Sequence, residues 1–166
     1  MVGPGTTYED RFTRTTFLRT AADTDGRAHE QRVEYFPASP FPPAHLHPAQ
    51  DERFVIEAGA MVFVVHGTAQ VVGAGEEITI ARKTPHRAKN ASDTAPAVVR
   101  WETRPALRTG DFFYRAHLLG TDAGPIELAL LAHEYRDVFR LCGPASHFVP
   151  LLAGVARLRR RPSPRD

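Results

Sequence analysis

The most concentrated chemistry in the chain lies at His45-Leu46-His47, followed by Glu52 and, much later, by His86. On an extended segment two histidines separated by one residue point to the same side, because strand side chains alternate with a period of two. Glu52 follows the turn-like Pro48-Ala49-Gln50-Asp51 and precedes the apolar run Phe54-Val55-Ile56, so it sits where a neighbouring strand would begin. From there a carboxylate can reach the same point, and His86, directly after Pro85, would complete a set of four. Three neutral imidazoles and one carboxylate suit iron, manganese, nickel, copper or zinc, and suit calcium or magnesium badly. The expected cofactor is one divalent transition metal held by His45, His47, Glu52 and His86.

These residues need a frame that carries them to one point. Pro37, Pro40, Pro42 and Pro43 enforce an extended approach to His45. Short strand-like runs follow at regular spacing: residues 53–57, 61–65, 69–72 and 77–81, each closed by turn residues, with His66-Gly67 placed for a tight hairpin. Residues 11–20, 31–36 and 97–103 supply further strands, and the whole indicates a small antiparallel sandwich or barrel. After Arg108 the period changes. Residues 111–119 and 126–142 read as helices, the second with Leu128, Leu131, Tyr135, Val138 and Cys142 on one stripe. A last helix would carry Leu151, Leu152, Val155 and Leu158. The expected organisation is a β-barrel over 11–106, a helical extension over 107–158 packed outside it, and flexible tails at 1–10 and 159–166.

A chain of 166 residues fits one core, and its 42% apolar and 24% charged content is that of a soluble globular protein. No apolar run approaches a membrane span and no secretory leader is visible, while the single Cys142 fits a reducing cytoplasm. The formal charge of +2 is too small to argue for a polyanionic partner. The basic tail Arg157-Leu158-Arg159-Arg160-Arg161 has no interleaved aromatic residues to stack on bases, so neither nucleic acid nor membrane is expected as a partner.

The β region resembles the cupin superfamily. His45, His47, Glu52 and Gly59 fill every place of the first cupin motif, and Gly75, His86 and Asn90 fill three places of the second at the right spacing. Ala81 stands where the second motif has proline and Lys83 where it has glycine, while Ser39 replaces a glycine that often precedes the first motif. The resemblance implies a mainly β fold, the double-stranded β-helix or jelly-roll barrel, with the metal held inside by His45, His47, Glu52 and His86, and frequently a homodimer.

Four protein ligands on a six-coordinate ion leave two positions for substrate or dioxygen, and Fe(II) is the favoured metal of the candidates. Glu52 and His86 are the expected catalytic residues, with Glu52 a candidate proton shuttle. Strand alternation puts Phe54 and Ile56 on the face of Glu52, and Phe63, Tyr35 and Trp101 complete the expected substrate pocket. Such walls fit a small aromatic or polyketide-like molecule. The leading reading is an iron-dependent oxygenase. A cyclase, isomerase or dehydratase using the metal as Lewis acid comes next, and a ligand-binding module without turnover last. His29, His66, His117, His133 and His147 are expected to be solvated.

Overall fold

The computed structural model describes residues 2–143. Eleven strands and two helices follow in the order β1 (Thr7–Glu9), β2 (Thr13–Arg19), β3 (His29–Tyr35), β4 (His45–Leu46), β5 (Asp51–Ala58), β6 (Ala60–Val65), β7 (Thr68–Gly73), β8 (Glu77–Ile80), β9 (His86–Asn90), β10 (Ala97–Arg104), α1 (Thr109–Leu119), α2 (Pro125–Glu134) and β11 (Arg140–Leu141). Two sheets face each other, one ordered β1-β2-β3-β10-β5-β8 and the other β11-β4-β9-β6-β7, with antiparallel pairing throughout. The fold is the expected jelly-roll sandwich.

Period-two patterning builds it. In β5, Glu52, Phe54 and Ile56 are buried while Arg53 and Glu57 face solvent; in β10, Val99 and Thr103 are buried while Arg100 and Arg104 face out. The inward sets meet in a core of Phe54, Ile56, Met61, Phe63, Val72, Ile80, Ala97 and Val99. Each large side chain buried there contributes about 1.5–3 kcal/mol relative to exposure.

Two turns explain motif positions. Between β5 and β6, Gly59 has φ +71° and a Cβ there would lie 2.7 Å from the Pro96 carbonyl oxygen, so glycine is required. Lys83 stands at φ +66°. The glycine of the second motif therefore serves a left-handed turn that this chain makes with lysine, and the turn still closes, since the Lys83 amide donates to the His47 carbonyl at 2.8 Å. The two-residue hairpin expected at His66-Gly67 joins β6 to β7 with positive φ at both positions, as a type I′ turn demands.

The two ends depart from the reading of the sequence. Thr7–Glu9, expected to fray, form β1 against β2. The helix expected over 126–142 stops at Glu134. Part of its apolar stripe is real: Leu131, Tyr135 and Val138 pack with Phe112 in a second small core, whereas Leu128 is exposed and Cys142 stands outside that core. Tyr135–Val138 turn instead of continuing, and Arg140–Leu141 pair with the edge of β4, which would otherwise lack a partner on that side. The expected helix near Leu151–Leu158 and the tail 159–166 lie outside the described residues. Among the described residues no helix is long and apolar enough to cross a membrane.

Candidate metal centre

Pairing register brings the histidines together. His45 of β4 lies opposite His86 of β9 on one side and opposite Leu141 of β11 on the other. His47 follows β4 directly, and its backbone is tied to Lys83 as described. Ligand atoms of His45, His47 and His86 all lie within 4.8 Å of one another. Two nitrogens bound to one ion at ~2.1 Å are at most ~4.2 Å apart, so a small inward adjustment satisfies all three.

The orientation of each ring is fixed from behind. His45 Nδ1 is 2.9 Å from the Pro43 carbonyl oxygen, His47 Nδ1 2.7 Å from that of Val138, and His86 Nδ1 3.0 Å from that of Thr84. A carbonyl only accepts, so each Nδ1 carries the hydrogen and each Nε2 presents its lone pair to the centre. This is how metal-ligating imidazoles are held.

Glu52 is 1% exposed and sits beside two of the rings, Oε1 at 3.2 Å from His47 Nε2 and Oε2 at 2.9 Å from His86 Nε2. The Trp101 indole N–H donates to Oε1 at 3.1 Å. With the ring hydrogens committed to carbonyls, carboxylate oxygens face nitrogen lone pairs, an arrangement that a cation or a proton between them would stabilise. His47 Nε2 and Glu52 Oε2 have no hydrogen-bond partner. The donor set and these two orphaned atoms fit a divalent cation. Glu52, expected as the fourth ligand, stands outside the mutually close group, which comprises the three imidazoles.

Electrostatics support a neutral His45 and an ionised Glu52, with His86 drawn toward its protonated form by the carboxylate. Burial, with His86 and His47 close by, pushes His45 down to about 4. Burial alone would raise Glu52, but His47, His86 and His45 outweigh it and hold the carboxyl below its usual range. On His86, burial opposes the charge, and Glu52 with the Thr84 carbonyl outweighs it, so its pKa lies above the ordinary imidazole value.

A cavity of about 530 Å³ opens beside His45 and His86. Of the expected pocket residues, Tyr35, Phe54 and Trp101 line it. Ile56 and Phe63 do not: at 1% and 0% exposure they belong to the closed core, Ile56 against Val99 and Phe63 behind Phe54 at a ring separation of 5.1 Å. They share the inward face but lie beyond Phe54, which ends the cavity floor.

Several site residues were not read from the sequence. Phe139 stacks on His45 at 4.7 Å and lines the cavity, and the Val138 carbonyl fixes His47; both fall where a continuous helix was expected. Tyr8, from the supposedly frayed segment, stacks on His117 at 4.5 Å, and both line the far end. His29, expected in solvent, is 1% exposed, packed on Phe17 and 3.1 Å from Gln31 Oε1. Its alternation with Gln31 and Val33 was the available signal.

Residues 31–101 match the cupin domain family. Among solved structures, the chain is similar to a predicted oxalate decarboxylase from Thermotoga maritima (17% identity over 63% of this chain and 99% of that one, TM-score 0.55). It is also similar to KdgF from Halomonas sp. (13%, 60% and 86%, TM-score 0.52), and to Pac13 of Streptomyces, a nucleoside dehydratase solved with uridine in two variants (17%, 64% and 79%, TM-score 0.51 for the first). No curated protein matches. These likenesses concern the barrel, where the motif histidines sit. With the jelly roll, the motif turns at Gly59 and Lys83 and the three converging imidazoles in place, residues 31–101 carry the features of the cupin domain that they match.

Proposed function

We propose that this chain is a metal-dependent enzyme acting on a small aromatic or polyketide-like molecule, most simply as an iron-dependent oxygenase. The observation that carries the reading is the set of three imidazoles, each locked by a backbone carbonyl, at the end of a cavity walled by Phe54, Trp101, Phe112, Phe113 and Phe139. His45, His47 and His86 would hold the ion. When bound, Fe(II) supplies a site where a chelating substrate and dioxygen can meet, whereas a non-redox ion polarises a carbonyl. The protein's own part is clearer. The aromatic walls exclude water and stack on a planar ring. Glu52, ionised and oriented by Trp101, balances the charge of the ion and can accept a proton from a substrate hydroxyl or carbon acid on Oε2.

A second reading rests on one further feature. Tyr35 lines the same cavity, and burial together with Glu52 and Tyr8 raises its phenol, so it stays protonated opposite an ionised carboxylate. Such an acid and base serve a cyclase, isomerase or dehydratase equally well. Oxygen uptake by iron-loaded protein with chelating phenols is the expected result. Conversion under strict anaerobiosis would replace the oxygenase reading with Lewis-acid chemistry, and tight binding with no conversion in either atmosphere would leave a binding module. We also propose that the protein works in the cytoplasm as a homodimer, for which sedimentation would give twice the 18.4 kDa chain mass.

A further inference from the structure

We propose that the substrate is uncharged apart from the oxygen it brings to the metal: an aromatic molecule free of remote carboxylate, sulfate or phosphate groups. This deepens the reading above and rests on it. The chain carries 21 lysines and arginines, yet among the described residues none lines the cavity. Strand alternation sends them outward. On the outer face Arg14, Arg32, Arg53 and Arg100 are paired with Glu9, Glu57, Glu77 and Glu30. Arg11 lies over the ring of Phe12 at 4.5 Å, and Arg87 and Lys89 over that of Phe41 at 4.7 and 5.3 Å, but it is the rings that line the cavity.

Among the described residues the one carboxylate lining the space is Asp10, and the imidazoles lining it are those of His45, His86 and His117. Glu52 lies beside the imidazoles, and Asp10 at the far end accepts from the amides of Phe12 and Thr13 at 2.7 and 2.8 Å. One divalent ion with Glu52 nearby leaves about one positive charge, enough for a single phenolate or enolate oxygen. A second anion elsewhere would be desolvated with no lysine or arginine among the described residues to face it, and Asp10, at the same far end as His117, would repel it. Thr15, Gln31 and Tyr35, among the other polar groups on the walls, are neutral hydrogen-bonding partners suited to hydroxyl, carbonyl or amide substituents.

Trp101 is the single tryptophan of the chain and lines this cavity, so its emission reports occupancy directly. Zinc-loaded protein, kept anaerobic, would be titrated with 2,3-dihydroxynaphthalene and with the same catechol bearing a sulfonate on its distal ring. Roughly tenfold or greater preference for the uncharged compound is expected. Equal affinity, tighter binding of the sulfonate, or no quenching by either compound would overturn the proposal. A Leu128→Arg variant, which places a cation at an exposed position on the cavity rim, should narrow the preference; a preference left unchanged would count against charge as its cause. Failure of the metal reading shows separately, as zinc uptake unaffected by loss of His45 and His47.

Discussion

At the scale of single residues, the site is a problem of orienting lone pairs, and each side chain's role predicts its own phenotype. Glu52→Gln keeps the shape but removes the charge and the proton acceptor; turnover should fall about 10²–10³-fold with zinc still bound, measured by initial rates beside metal content. Lys83 holds a left-handed conformation that costs a non-glycine residue about 1–2 kcal/mol, partly offset by the greater unfolded-state freedom of glycine, so Lys83→Gly should raise stability by about 1 kcal/mol or less in urea unfolding. Glu30 is 3% exposed and clasped by Arg100 and by Arg19 at 2.5 Å. Burial works against its charge, but the two guanidinium groups prevail and its folded pKa lies below the unfolded value. Its contribution is therefore present above the ordinary glutamate range and lost as pH falls through the folded pKa. Glu30→Gln should cost about 1–2 kcal/mol near pH 7, and that difference should shrink toward zero in acid; a difference independent of pH would refute the ion-pair account.

Among the elements, the strands were legible and the C-terminal segment was not, and the reason is physical. In β5 and β10 one face meets the core along the full strand, so alternation is imposed on the sequence itself. The spacing of Leu131, Tyr135 and Val138 is equally consistent with one helix or with a helix followed by turns, and what decides between them is the open edge of β4, a tertiary demand no local pattern carries. β1 is short and mostly exposed, held by its pairing to β2, so Tyr8 gave no sign of its place in the cavity. The three motif histidines were legible because their spacing is set by strand register; the Val138 carbonyl was not, since a backbone atom leaves no trace in residue identity. The consequence is that the helical extension is part of the site. Phe139→Ala should lower stability by about 2 kcal/mol and weaken zinc binding about tenfold, because the same segment holds the carbonyl that orients His47. Gln50, 0% exposed, places its Nε2 2.8, 3.1 and 2.7 Å from the Pro105 and Ala106 carbonyl oxygens and Thr109 Oγ1, and its two N–H groups shared among them pin the start of α1 to the barrel. Gln50→Ala should cost about 2 kcal/mol in thermal or urea unfolding; an unchanged midpoint would mean α1 is held by its apolar contacts alone.

As a whole molecule the protein separates charge by direction. Arginine and glutamate pairs cover the outer sheet face, while the cavity has aromatic walls and polar groups without lysine or arginine among the described residues, with Asp10 at its far end and the three imidazoles and Glu52 grouped at the other. Everything proposed about reactivity depends on those imidazoles sharing one ion. The direct measurement is metal content after equilibrium dialysis against buffered zinc, for the unaltered chain and for a His47→Ala/His86→Ala variant whose fold is verified by circular dichroism. The expected result is about one zinc per chain in the first and less than about a tenth of that in the second. Equal zinc in both proteins, or none in the unaltered chain, would contradict the assignment of the metal centre.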